Sequence, residues 1–136
     1  GNDPVERSKI WCAIMEILNY IEPNILDYAR TIFFGELADK KQIAITARET
    51  IEKELTRLNA SLENNDYLTS DKLSAADLVL YPVIPFLSRA ATKDNTEEVS
   101  GNLRSIDDNY PAIGAWCKKI ESIPGYEKTY PPHWKE

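Results

Sequence analysis

Glycine, cysteine, methionine and histidine are all scarce in this 136-residue chain, with five, two, one and one copies. Cys12 and Cys117 are too few and too far apart to form a four-ligand metal site or a secreted disulfide framework, so both are read as reduced core thiols. His133 sits in a proline-rich terminal segment with no fixed acid or nucleophile near it in sequence, which favours surface packing over catalysis. No glycine-rich phosphate loop and no metal-ligand spacing is present. Charges interrupt every hydrophobic segment, so none approaches the roughly 20 residues a membrane-spanning helix needs. Sixteen Lys and Arg face 22 Asp and Glu, a net charge of −6, and the basic residues are scattered, which argues against nucleic acid. With no secretory leader visible, these absences point to the cytoplasm. No run alternates at period two with β-branched residues either, which leaves an all-α fold.

What is present is helical periodicity, in a length and composition that suit one domain, residues 1–136. The first helix is predicted to start at Asp3, with Pro4 in the first turn and Glu6 placed to complete a capping box. Its apolar stripe runs through Ile10, Ile14, Ile17, Leu18, Ile21, Ile25, Ala29 and Ile32, with a kink at Pro23 and an end at Gly35. A second helix is predicted from about Lys40 to Leu62, with Ile43, Ala47, Ile51, Leu55, Leu58 and Leu62 inward, packed antiparallel to the first. Thr92 to Asp108 is polar and reads as a surface connection with at most a short helical turn. Pro111 opens a helix that Pro124-Gly125 stops. From Tyr126 the tail is expected to lie extended, anchored by Tyr130 and Trp134.

The most informative stretch is Leu73-Ser74-Ala75-Ala76-Asp77-Leu78. The Ser74 side chain can accept an orphan amide hydrogen while the Asp77 carboxylate reaches back to the Ser74 amide, forming a capping box. Leu73 and Leu78 have the spacing of a hydrophobic staple. The helix that follows, to about Ala91, is apolar nearly all round and is predicted to be buried on every side. Asp77 is a tempting general base, but its capping role accounts for it.

Ser-x-Ala-Asp followed by Leu-x-Leu-Tyr-Pro resembles the core-helix signature of the C-terminal domain of cytosolic glutathione transferases, with Pro82 at the family's usual kink. Asp3-Pro4-Val5-Glu6-Arg7-Ser8 resembles the start of that domain, and Tyr110-Pro111 to Trp116 and Ile123-Pro124-Gly125-Tyr126 resemble its late helix and exit. The closing Tyr130-Pro131-Pro132-His133-Trp134 is similar to the tails of proteobacterial members. The resemblance implies a bundle of about five helices with an extended tail. It further implies that the glutathione site and the catalytic Tyr, Ser or Cys belong to an N-terminal thioredoxin-like domain, of which nothing is seen here. The chain starts at Gly1 and reaches a helix cap at once, so it reads as a fragment of a longer protein, with no catalytic residue and no bound cofactor of its own.

In beta-type bacterial transferases the middle of the first helix faces the groove between the domains and often carries His before Pro. Here that pair is Glu22-Pro23, and an ionised carboxylate cannot donate the hydrogen bond a His would supply. The resemblance places Asn19 and Tyr20 where family members reach glutathione held by the neighbouring subunit of a homodimer. Tyr20 and Tyr28 are read as lining a pocket for a hydrophobic electrophile, or else as flanking the core stripe with their hydroxyls in water. The implied activity is glutathione conjugation, in which this domain supplies the acceptor site and part of the dimer interface. The alternative is a non-catalytic interaction module like those found in translation-associated scaffolds.

Overall fold

The computed structural model describes residues 3–129, and the residues discussed above as His133, Tyr130 and Trp134 lie outside that range. Helix α1 covers Pro4–Glu16, a π-helical segment Ile17–Ile21, and α2 Glu22–Phe33. Asp3 starts α1 by accepting from the Val5 amide at 2.8 Å and the Glu6 amide at 3.3 Å. Proline has no N–H and its ring crowds the carbonyl four residues back, so the predicted kink at Pro23 takes the form of a widened turn just before it.

A Schellman turn then reverses the chain: Gly35 stands at φ +70°, its amide donates to the Ile32 carbonyl and the Glu36 amide to the Thr31 carbonyl. Helix α3, Leu37–Leu62, packs back along α2 and begins a turn earlier than its periodicity suggested, because a non-helical Lys40 (φ −119°, ψ 23°) interrupts the pattern. Ile43, expected inward, is exposed, whereas Ala44, Ala47, Ile51, Leu55, Leu58 and Leu62 enter the core.

The central helix divides at the kink expected of Pro82 into two helices, α4 at Ala75–Leu80 and α5 at Val83–Ala91. It is not buried on every side, since Leu78 is 57% exposed, and Leu73 just before its cap is 40% exposed. The polar segment after it is no surface loop. It forms α6 (Glu97–Ser100), a 3-10 turn (Gly101–Ser105) and α7 (Ile106–Asn109), and it buries Val99, Leu103 and Ile106 along with Thr96 and Ser100. Thr96 Oγ1 donates to the Ala91 carbonyl at 2.9 Å, and Glu52 on α3 accepts from the Asn102 amide at 2.8 Å, so the start and the middle of the segment are tied down.

Helix α8, Pro111–Glu121, carries Ile113, Trp116 and Ile120 into the core. Its first amides are served from another helix: Asn59 Oδ1 on α3 accepts from Ala112 at 2.9 Å and Ile113 at 3.3 Å. After Gly125 (φ +94°) the chain makes a 3-10 turn at Tyr126–Lys128 rather than the extended run predicted from Tyr126. The described residues are all-α, and their core draws on α2, α3, α5 and α8 together.

Candidate functional site

Asp77 anchors the start of α4. It is fully buried and accepts four hydrogen bonds: from the Ser74 amide at 2.8 Å, the Ser74 hydroxyl at 2.7 Å, the Leu68 amide at 2.9 Å and Trp116 Nε1 at 2.9 Å. The capping box with Ser74 is formed. Two of the four donors come from outside it, however, so the carboxylate joins the loop before α4 to the ring of α8. Four donors occupy the lone-pair positions of a carboxylate, and none is left for general-base chemistry.

The residues proposed for ligand contact separate into two groups. Asn19 and Tyr20 lie in the π-helical segment and both are exposed, Tyr20 by 62%. Asn19 Nδ2 donates to the Met15 carbonyl at 2.6 Å, and Asn24 Nδ2 donates to the Tyr20 carbonyl at 2.7 Å, so amide side chains satisfy backbone groups around the irregular turn. This leaves the Asn19 carbonyl oxygen and one N–H directed to solvent. Glu22, the next residue but one after Tyr20, is half-buried at the start of α2.

Tyr28 belongs elsewhere. It is fully buried, and its hydroxyl lies 3.0 Å from Ser100 Oγ. Ser100 has one proton, and the carbonyls of Ala91 and Thr96 each stand 2.8 Å from its oxygen, so Tyr28 is the donor in this pair. Burial raises the Tyr28 pKa above its ordinary value, with the Ser100 bond and Arg48 acting in the opposite sense. Neither reading of Tyr28 as a pocket wall or as a wetted flank survives. Its spacing already signalled this, three residues after Ile25 and four before Ile32, within the core stripe itself. Ser100, its partner, carried no such signal.

Alongside Asn19 and Tyr20, α1 exposes Trp11 by 63% and Met15 by 51%, and the π-helical segment exposes Leu18 by 43%. These recur at steps of four and three and therefore share one face. Cys12 is also exposed, contrary to its reading as a core thiol, whereas Cys117 is partly buried and desolvation pushes its thiol up to about 12. Cys117 is thus no nucleophile at neutral pH. Among the described residues no group of His, Cys, Asp and Glu could hold a metal ion, and no helix is long and apolar enough to cross a membrane. The face on α1 and the turn after it can bind by apolar contact, by a phenol and by an amide.

An all-α domain whose central helix starts on a buried, capping Asp and breaks at Tyr-Pro defines a class, and comparison with known proteins identifies it. The family model for the C-terminal domain of glutathione S-transferase matches residues 21–124, and the chain belongs to that family. Its structure is similar to that of glutathione S-transferase from Pseudomonas fluorescens Pf-5, with a TM-score of 0.71, 20% identity, and 91% of this chain covering 56% of that one. It is also similar to glutathione transferase F7 from Populus trichocarpa, with a TM-score of 0.73, 21% identity, and 93% of this chain covering 56% of that one. At such identities the likeness is one of fold. The chain therefore spans little more than half the length of these solved structures. No curated protein matches the sequence.

Proposed function

We propose that this domain is the acceptor-side half of a cytoplasmic glutathione transferase, and that its first helix supplies both an electrophile-binding wall and part of a homodimer interface. The observation that carries this reading is the run of exposed apolar and aromatic side chains on α1 and the π turn, Trp11, Met15, Leu18 and Tyr20, with the Asn19 amide among them. Large side chains of this kind left in water on one helix face are suited to a partner surface or a ligand. In the reaction the glutathione thiolate attacks an electrophilic carbon of the acceptor, a C–S bond forms and the leaving group departs with its electron pair. The group that stabilises the thiolate lies outside this chain, so residues 1–136 alone are expected to show no conjugation of glutathione to an aryl halide above background.

In the full-length protein, Asn19→Ala should weaken glutathione binding by about two- to tenfold, the worth of one hydrogen bond, and leave a hydrophobic acceptor analogue unaffected. Tyr20→Ala should do the reverse, and Trp11→Glu should shift the dimer toward monomer in sedimentation. Unchanged affinity for both ligands in both variants, each first shown to be folded, would end the proposal for this face. If dimerisation alone responded, the domain would be better read as an interaction module.

A further inference from the structure

A second concave site lies away from α1, where two helix breaks face each other. Pro82 interrupts the helix between α4 and α5, and Pro124-Gly125, with Gly125 at φ +94°, turns the chain after α8 so that Tyr126 meets Tyr81 edge-on, ring centroids 5.6 Å apart. Between these breaks is a cavity of about 510 Å³, walled by Leu73, Leu78, Pro85, Ile120 and Ile123 and floored by the two tyrosines. That volume is within the range of small-molecule pockets. We propose that this cavity is a binding site for a neutral, largely apolar small molecule of one to three rings.

Three features select that class of occupant. Among the described residues no charged side chain lines the cavity, so an ionised ligand would lose its hydration without compensation from them. The Tyr81 hydroxyl already donates to Glu121 at 2.9 Å and is paired with the Tyr126 hydroxyl, so it calls for no polar group on the ligand. Leu73 and Leu78, 40% and 57% exposed, hold the spacing of a staple yet turn toward this space instead of closing on the core. Prolines on both sides limit how far the walls can collapse when empty.

The test is titration of the 136-residue chain with N-phenyl-1-naphthylamine, a neutral two-component aryl amine that fluoresces when removed from water. Saturable binding of one probe per chain is expected, weakened at least tenfold by Leu78→Glu and by Leu73→Glu, with the thermal midpoint of each variant unchanged. Phe34→Glu, which charges an apolar side chain 73% exposed at the end of α2, should leave probe binding as it is. Equal weakening by Phe34→Glu, or none by either leucine variant, would overturn the proposal. Probe affinity that rises tenfold in Tyr130→Ala/Trp134→Ala would overturn it too, by assigning the cavity to the chain's own last residues. One probe per two chains would do so in favour of a second copy.

Discussion

Helices α4 and α8 solve the same problem in opposite ways. Each begins with amide groups that no preceding turn can satisfy. Helix α4 carries its own answer in Ser74 and Asp77, three residues apart, whereas α8 relies on Asn59, which lies 53 and 54 residues from the amides it serves. A local cap can act on an isolated helix start, but a remote cap acts only when α3 and α8 are already packed. The difference shows how much of a helix boundary can be a property of the whole fold.

Substitutions can break or sharpen this contrast. The largest effect is expected from Asp77→Ala, which leaves the part-buried Leu68 amide and the buried Trp116 indole unpaired in addition to the box. A loss of about 3–5 kcal/mol in chemical denaturation is expected. Ser74→Ala should cost only about 1 kcal/mol, because it removes only its own share of the box, and the double variant should fall short of the sum. Equal losses from the two single variants would mean that Asp77 is merely a local cap.

Next comes Asn59→Ala, expected to cost about 1–2 kcal/mol despite its distance in sequence, since two amides at the start of α8 lose their acceptor. Asn59→Asp should largely restore stability. If alanine there proved silent, the remote cap would have no energetic content. Asp3→Ala, at the exposed start of α1, should cost less, about 0.5–1 kcal/mol, because water can replace the carboxylate.

The effect that is smallest at neutral pH concerns the alkaline behaviour of α8. The folded Cys117 thiol keeps its proton to about 12, against an ordinary value of 9.0, so between those values the unfolded chain binds fewer protons and stability falls as pH rises. Cys117→Ala should show a shallower decline across that window in pH-dependent denaturation, and an identical slope would remove the thiol as its cause.

These contrasts also mark what the sequence could reveal. The local devices were legible: the Asp3 cap, the Ser74–Asp77 box, the reversal at Gly35, and the stop at Pro124-Gly125 each depend on residues within one turn of their effect. Asn59 and Ser100 were not, because their partners are set by packing rather than by spacing. The segment from Thr92 to Asp108 looked like surface because polar residues outnumber apolar ones there, yet Val99, Leu103 and Ile106 turn inward with Thr96 and Ser100 buried beside them. From α1 to α2, periodicity could count apolar positions but could not tell which would be covered, so Leu18 is exposed and Tyr28 buried. In the site, Asn19 and Tyr20 are exposed beside the apolar face of the first helix, whereas the cavity beside Pro82 depends on two chain breaks meeting in space.

The bond from Trp116 to Asp77 also bears on the order in which the molecule can assemble. A nascent α4 can form its box with Ser74 as soon as that stretch leaves the ribosome, but the indole that completes the carboxylate's partners lies 39 residues further on. Until α8 arrives, Asp77 must remain hydrated, which keeps its end of the central helix from drying. Closure of the core is thereby delayed until nearly the whole domain has been synthesised. A transition state with α4 formed and α8 still undocked would show as a high φ-value at Ser74 and a low one at Trp116.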